Sequence, residues 1–427
     1  MIIGNLRSES SHEGARVMAT ITWEDSDRPS QDIYFETDSA FAHALTCNPH
    51  SFLVACAMPA MRHRERRMFI DAAIDPRLHN GLTTAMNWIR HWQGPERRLL
   101  RIEARTSDIP LHPNSPERAG LFMSGGIDSL GSLCANRIDF AREHPGSFKD
   151  ALFIQGIERD KDIGHFVPAL QSLTEIVAQD PDLTLIPVRT NIRELDNDSY
   201  FWGMEFQGAA LAAVAHAFAR RLTSVAIPAT ADMFHLHPYG SHPLLDPNYS
   251  SSDLQILHDG ITLSRLTKTA LVADCAVALQ HVRVCNNPKA IPPGSLNCGQ
   301  CEKCLRTKLA LLALGKLDQT RAFPSDGPSN ETLLKSLKIK NRASRSYQES
   351  CYQELITPLT ERGHAGLARQ VEQFIARSRA ADGQHTKKIR IRAGKERLKD
   401  IDRKYIGGGL RRILRALGLR SRKPARD

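Results

Sequence analysis

The sequence predicts an α/β protein in which a parallel-sheet domain lies between an N-terminal α+β module and a basic C-terminal tail. Strand-length and helix-length apolar segments alternate after residue 120. A glycine-centred turn joins the first of these strands to its helix. The excess of Lys and Arg over Asp and Glu is confined to the residues after 386. These three observations give the fold class and order of the segments.

Composition and apolar patterning divide the 427 residues into five segments. A stretch punctuated by Pro110, Pro113 and Pro116 is typical of a linker. The predicted segments are an N-terminal α+β module (1–105), the linker (106–118), the α/β domain (119–320), a helical extension (321–380) and a basic tail (381–427).

The N-terminal module has strand and helix patterns but no catalytic constellation. Cys47 and Cys56 have no partner at metal-binding spacing, so we interpret both as small core residues. The predicted elements are strands over 19–23 and 32–37, a helix over 82–92 and a strand over 98–104.

In the α/β domain, the alternation of strands and helices favours a parallel sheet with helices on both faces. Ligands of such sheets bind in the crevice at the carboxyl ends of the strands. The predicted strands are 120–123, 151–155, 183–188 and 224–227, and the predicted helices are 128–143, 165–179 and 202–221.

The turn after the first of these strands has the composition of a phosphate-binding loop. It reads Ser124-Gly125-Gly126-Ile127-Asp128-Ser129 and leads into a helix. Adjacent glycines let backbone N–H groups approach an anion, and the helix N-terminus adds a positive dipole end. No lysine follows the glycines, which excludes the Walker-type loop.

Four cysteines form a second motif, with the spacing C-x12-C-x2-C-x2-C. Four thiolates complete a tetrahedral zinc site, and a closed site of this kind is structural. An iron–sulfur cluster is the alternative, although the C-x3-C-P continuation of ferredoxin-type motifs is absent. Four unrelated cysteines are the other alternative. The residues are Cys285, Cys298, Cys301 and Cys304.

The loop resembles the SGGxDS loop of the N-type ATP pyrophosphatases, the PP-loop family, which have a Rossmann-like α/β fold and cleave ATP between the α and β phosphates. Together with the segment Cys298-Gly299-Gln300-Cys301, it resembles the 7-cyano-7-deazaguanine synthase family over about residues 120 to 310. Members convert a deazaguanine carboxylate to a nitrile. The resemblance implies ATP with Mg²⁺, a Zn²⁺ site and often a homodimer.

The resemblance also implies roles for individual residues. Asp128 would bind magnesium or orient the loop, and Lys268 would contact the α-phosphate or the departing pyrophosphate. The nucleotide would contact Ser124, Gly125, Gly126, Ile127 and Ser129, and the substrate-side loop would supply Asp232, His242 and Asp246.

The implied reaction has two steps. A substrate carboxylate attacks the α-phosphorus and pyrophosphate leaves, and a nitrogen nucleophile then displaces AMP. No cysteine stands at the N-terminus as an amidohydrolase nucleophile, so we expect ammonia or an amine rather than glutamine.

Three features depart from the family pattern. A minimal member has no N-terminal module and no basic tail, and the spacing after Cys285 is longer than usual. In addition, Arg306 follows the last cysteine by two residues, where we expect an arginine three residues after it.

The net charge of +10 lies in the tail. Lys387 to Asp427 carry sixteen Lys and Arg and four Asp and Glu, a net charge of +12 that leaves −2 for residues 1–386. Leucines such as Leu410 and Leu414 alternate with arginines at helical spacing. A solvated tail, a helix on an anionic membrane and an RNA-binding arm are all compatible with this pattern.

No apolar run is long enough to span a bilayer and no secretion signal is evident, so we expect a cytoplasmic protein. Other function classes stay open. One alternative is a tRNA-modifying PP-loop enzyme, for which the basic tail would be suitable. Another is a relative that joins a deazaguanine-like acid to a protein amine and so uses a macromolecular acceptor. The third alternative is a non-catalytic nucleotide-binding scaffold.

Overall fold

The computed structural model describes residues 1–107, 109, 111, 117–157, 163–325, 328–337 and 345–380. Most of the predicted linker and the whole basic tail lie outside these residues. The described chain is α/β, with one sheet of ten strands in the order β10-β9-β6-β7-β8-β3-β2-β1-β4-β5. Six of its nine strand pairings are parallel.

The C-terminal half of the sheet carries the predicted phosphate loop. Its strands are β6 (Ala119–Phe122), β7 (Phe148–Gln155), β8 (Thr184–Thr190), β9 (Ser224–Pro228) and β10 (Gln255–Asp259). All are parallel, and counted from β6 their spatial order is 3-2-1-4-5, compatible with a Rossmann-like fold. The order reverses between β6 and β9, so a crevice for ligands opens at the carboxyl ends of these two strands.

The N-terminal half extends the same sheet. Its strands are β1 (Ile2–Ser10), β2 (Gly14–Thr22), β3 (Gln31–Asp38), β4 (Arg67–Ile74) and β5 (Arg101–Thr106). Strand β3 pairs antiparallel with β8, where Glu36 lies opposite Arg189. The Glu36 carboxylate accepts a 2.6 Å hydrogen bond from Arg189 Nε. Residues 1–105 therefore join the α/β half through backbone pairing and an ion pair.

Helices cover both faces of the sheet. Helix α1 is buried along nearly its whole length and packs against α6, which is also buried on all sides. The helices up to this point are α1 (Pro49–Arg62), α2 (Pro76–Gln93), α3 (Ile127–Asp139), α4 (Ile163–Ala178), α5 (Ser199–Phe201) and α6 (Gln207–Ala217).

The C-terminal helices build a separate apolar cluster. Leu305 and Leu309 of α9 share this cluster with Tyr352 and Phe374, which attaches the extension to the α/β half. The helices are α7 (Arg265–Asp274), α8 (Ala276–His281), α9 (Glu302–Leu314), α10 (Asn330–Ser336), α11 (Arg345–Gln353), α12 (Ile356–Glu361) and a last one over 365–380.

The strands and helices predicted in the α/β half are present, with shifts of boundary. The helix expected over 202–221 is divided, because a π-helical turn at Trp202–Phe206 precedes α6. The sequence patterns did not indicate β1, β4, β10 or α1. Within the described residues, no helix has the length and apolar character needed to cross a membrane.

Candidate active site

The segment from Ser124 to Ser129 forms a tight turn between β6 and α3. Gly125 has a φ of +78°, a left-handed conformation that favours glycine. Gly126 is the N-cap residue of α3, and among the described residues no side chain caps the helix. The first N–H groups of α3 are therefore left for a ligand, which is the arrangement that binds anions at helix N-termini.

Hydrogen bonds within and beside the turn fix its shape. Ser129 Oγ donates to the Gly126 carbonyl at 3.1 Å and accepts from the Ser124 N–H at 3.3 Å. The Gly125 carbonyl accepts from the Arg283 N–H at 2.8 Å. The Ile127 side chain is buried in the core, so this residue can offer a ligand only its backbone.

The turn opens into a cavity of about 540 Å³. This volume lies within the range of roughly 300–1,000 Å³ typical of small-molecule sites. The loop supplies Ser124, Asp128 and Ser129 to its wall, and further polar side chains come from strand β10 and from helices α6, α7, α9 and α11. The cavity therefore lies at the reversal point of the strand order.

Cations outnumber carboxylates in the cavity wall. Arg265, Lys303 and Arg306 line it, and among the described residues the carboxylates that do so are Asp128 and Glu302. Arg265 Nη1 lies 3.0 Å from Asp128 Oδ1. Burial is the largest single influence on the pKa of Arg265 and would lower it, but the Asp128 carboxylate together with Tyr347 and Cys351 outweighs burial and raises that pKa. The Arg265 guanidinium therefore stays charged next to the turn, as one half of an ion pair with Asp128.

Lys268, which we expected to meet phosphate, lies behind the cavity wall. Its side chain is 1% exposed, and Nζ donates a 2.6 Å hydrogen bond to the Ala229 carbonyl. Nζ is 3.9 Å from Asp128 Oδ1. Burial lowers its pKa below the usual lysine value. Arg265, one turn earlier on α7, is the cation of this helix that reaches the cavity.

The three residues predicted on the substrate side have different surroundings. His242 lines the cavity, and burial, followed by the neighbouring His258 and His237, lowers its pKa to about 4. Asp232 does not line it and instead accepts hydrogen bonds from the Phe234 N–H and from His235 Nδ1.

Asp246, the third of these residues, is fully buried. Its carboxylate accepts from Ser241 Oγ at 2.7 Å and from His258 Nδ1 at 2.7 Å. His258 lines the cavity, whereas Asp246 does not. The sequence singled out Asp246 but gave no role to His258.

The C-terminal extension completes the cavity wall. Tyr347 and Gln348 of α11 line it, and the Tyr347 hydroxyl accepts a 3.1 Å hydrogen bond from Arg265 Nε. Glu354 accepts the Leu266 N–H at 2.9 Å and so holds the extension against the first turn of α7. No motif in the sequence marks Tyr347, because its role depends on tertiary packing.

The four cysteines of the second motif lie together beside α9. Each pair of their sulfur atoms is within 4.8 Å, so the group could hold a metal such as zinc. Four ligands at 2.3 Å in tetrahedral geometry would be about 3.8 Å apart. The Cys285–Cys301 and Cys298–Cys304 distances are 3.9 and 3.8 Å.

Backbone geometry supports this cluster. The Cys301 N–H donates to Cys298 Sγ at 3.3 Å, and Gly299 between them has a φ of +71°. Asn297 Oδ1 accepts the N–H groups of Val284 and Cys285, which fixes the first cysteine next to the other three.

Comparison of the chain with models of protein families, with curated proteins and with solved structures gives no significant match.

Proposed function

We propose that this chain is a PP-loop ligase of the 7-cyano-7-deazaguanine synthase type, which adenylates a substrate carboxylate with ATP and passes the acyl group to a nitrogen nucleophile. The observation that carries the proposal is the uncapped Ser124–Ser129 turn, which opens into a cavity with a cationic wall. The turn and the cavity by themselves do not indicate where ATP would be cleaved. The resemblance of the loop to SGGxDS adds that step.

Electrostatics would carry the adenylation step. When the bond to the leaving pyrophosphate breaks, negative charge grows on the phosphate oxygens. N–H groups at the start of α3, the Ser124 hydroxyl and the Arg265 guanidinium would be preorganised donors near this charge, and the Ser129 hydroxyl would join them by turning away from the Gly126 carbonyl. Lys268 would act from behind the wall as a buried charge beside Asp128.

Magnesium would be held mainly by the ATP phosphates, with Asp128 as the nearest carboxylate. Mg²⁺ usually takes one or two carboxylates together with substrate phosphates. Asp128 already contacts Arg265, so its first role in the proposal is to orient that arginine. The metal, when bound, would neutralise phosphate charge.

Zinc would fit the four-cysteine cluster as a structural ion. The sulfur distances match tetrahedral coordination, and four thiolates leave no position for a substrate. The cluster ends at the start of α9, which carries Lys303 and Arg306 into the cavity wall. Zinc would therefore position two of the cavity's cations.

The cavity also suits a planar heterocyclic acid. Apolar and aromatic side chains, among them Phe153 and Tyr239, share its wall with the polar groups. A deazaguanine carboxylate has a flat ring and an acid group, which match such a mixed lining. Ammonia, a small amine or an amine on a macromolecule would be the second substrate.

The test is a product assay with purified full-length chain, MgATP and 7-carboxy-7-deazaguanine. We expect AMP and pyrophosphate in equal amounts by nucleotide chromatography, and carboxylate-dependent exchange of labelled pyrophosphate into ATP. Formation of ADP without AMP would refute the proposal. Nucleotide binding without exchange or turnover would favour the non-catalytic scaffold.

A further inference from the structure

Asp246 and His258 form a buried dyad that the proposed adenylation step does not use. His258 Nδ1 is 2.7 Å from Asp246 Oδ2. A carboxylate accepts hydrogen bonds only, so Nδ1 carries a proton, and in the neutral form of this ring Nε2 has the free lone pair. His258 lines the cavity, and within the described part of the chain no hydrogen bond to Nε2 is formed.

The surroundings of Asp246 fix the dyad in one orientation. The carboxylate is fully buried and also accepts from Ser241 Oγ and the His242 N–H. Gly208 permits its position, because a Cβ atom there would lie 2.1 Å from Asp246 Oδ1. A base whose ring is held by a third group is the arrangement found in enzymes that deprotonate a nucleophile.

The second step of the proposed reaction needs such a base. Amines have pKa values of about 8 to 10 and are mostly protonated near neutral pH. A neutral amine that attacks a carbonyl carbon must also lose a proton before the product is neutral. In the phosphate loop the one carboxylate, Asp128, is already paired with Arg265, and the other polar groups there are hydrogen-bond donors.

We infer that His258, positioned by Asp246, is the general base for the nitrogen nucleophile; the inference rests on the proposed function. The amine nitrogen forms a bond to the carbonyl carbon of the acyl adenylate, and His258 Nε2 takes the proton that the nitrogen loses. The carbon–oxygen bond to AMP then breaks, and the electron pair leaves with the AMP phosphate. Asp246 stabilises the imidazolium.

His258→Gln tests the base by separating the two steps. We expect ammonia-dependent product formation to fall about 100-fold or more relative to ATP–pyrophosphate exchange, since general base catalysis contributes roughly 10²- to 10⁴-fold. Hydroxylamine is a strong nucleophile that is uncharged at neutral pH. Hydroxamate formation by His258→Gln should therefore stay within about tenfold of wild type.

Chemical rescue distinguishes a base from a structural residue. In His258→Ala, added imidazole should restore part of the ammonia-dependent rate, because it can occupy the space of the ring and accept the proton. Asp246→Asn should lower the same rate without rescue by imidazole. His281→Ala, a partly buried histidine outside the cavity wall, is the matched control and should behave as wild type.

Two results would overturn the inference, and they are distinguishable from failure of the proposed function. Equal loss of exchange, hydroxamate formation and ammonia-dependent turnover in folded His258→Gln would show a structural role. Full ammonia-dependent activity in that variant would show that no base is needed. Absence of exchange in the wild-type chain would instead refute the adenylation itself.

Discussion

Arg265 and Asp128 form a two-pronged ion pair in the cavity wall, with Nη1 3.0 Å from Oδ1 and Nη2 3.2 Å from Oδ2. The pair joins the start of α7 to the first turn of α3. Further along α3, Gly131 packs closely against α7, since a Cβ atom added to Gly131 would be 3.1 Å from Lys268 Cβ. The phosphate turn and the cationic wall are thus held in one geometry by side-chain pairing and close helix packing.

Asp128→Asn should therefore lower turnover about 100-fold or more while the chain stays folded. The substitution removes the charge that orients Arg265, and preorganised charge of this kind is worth about 10²–10³-fold in rate. Turnover with MgATP and thermal unfolding are the measurements. Asp139→Asn, at the exposed C-terminal end of α3, is the control. Near wild-type turnover of Asp128→Asn would exclude a catalytic role for this residue.

The local motifs of the site could be predicted from the sequence, because they depend on short-range chemistry. A glycine pair after an apolar strand predicts the turn at Ser124, and cysteine spacing predicts the cluster that ends at Cys304. In both cases the residues that act together are close in sequence, and the parallel order of the strands follows from the alternation of elements.

The residues of the cavity wall outside these two motifs could not be predicted, because they come together only through tertiary packing. Tyr347 reaches Arg265 from a helix more than eighty residues later in the chain. Lys268 looked like a phosphate ligand, yet its place on the inner side of α7 directs Nζ to a backbone carbonyl. The β3–β8 pairing likewise has no signal in local periodicity.

Cys301→Ser should lose zinc and stability together. We expect about one zinc per wild-type chain and none in the variant, because three ligands no longer close the site. A loss of about 2 kcal/mol or more would lower the melting temperature by roughly 4–8 °C for a domain of 150–250 residues. Metal analysis and calorimetry check this, with Cys47→Ser as the control outside the cluster. Iron with a brown colour would identify the iron–sulfur alternative instead.

Gly208→Ala should destabilise the protein and impair the dyad, although alanine is normally the better helix former by about 1 kcal/mol. The new Cβ would overlap Asp246 Oδ1 and lie 2.8 Å from the Gly240 carbonyl. Overpacking of this kind costs about 1–3 kcal/mol. Gly366→Ala is the control, because no atom of the described residues lies within 4 Å of a Cβ there. Equal unfolding free energies for the two variants would contradict the prediction.

His216 should make the fold sensitive to mild acid. The residue is fully buried, and Nε2 donates to the Tyr249 carbonyl at 2.7 Å. Burial, with a smaller effect of His50, lowers its pKa from 6.5 to about 3. Between these pH values the unfolded chain binds one more proton, so stability falls as the pH drops, by up to about 1.4 kcal/mol per unit.

Denaturant unfolding at several pH values measures this slope. His216→Leu, which cannot bind a proton, should show a smaller loss of stability between pH 6.5 and 3 than wild type, whatever its stability at neutral pH. Parallel slopes for the two proteins would show that other groups cause the acid sensitivity.

Two truncations should separate the tail from the extension. Removal of residues 387–427 changes the formal charge from +10 to −2 and leaves the described cavity complete, so ATP–pyrophosphate exchange should be retained. Binding to anionic vesicles or RNA should weaken, and in the full-length chain it should be salt-sensitive, since charges are screened over about 10 Å at 0.1 M salt.

Removal of residues 345–427 also takes away Tyr347, which contacts Arg265, and Glu354, which accepts the Leu266 N–H. This longer truncation should lower exchange at least tenfold, because Arg265 would lose a partner and the cavity would lose a wall. Tyr347→Phe isolates the hydroxyl and should have an intermediate effect. Loss of exchange already in the shorter truncation, with the protein folded, would place part of the tail in the active site and contradict the division between extension and tail.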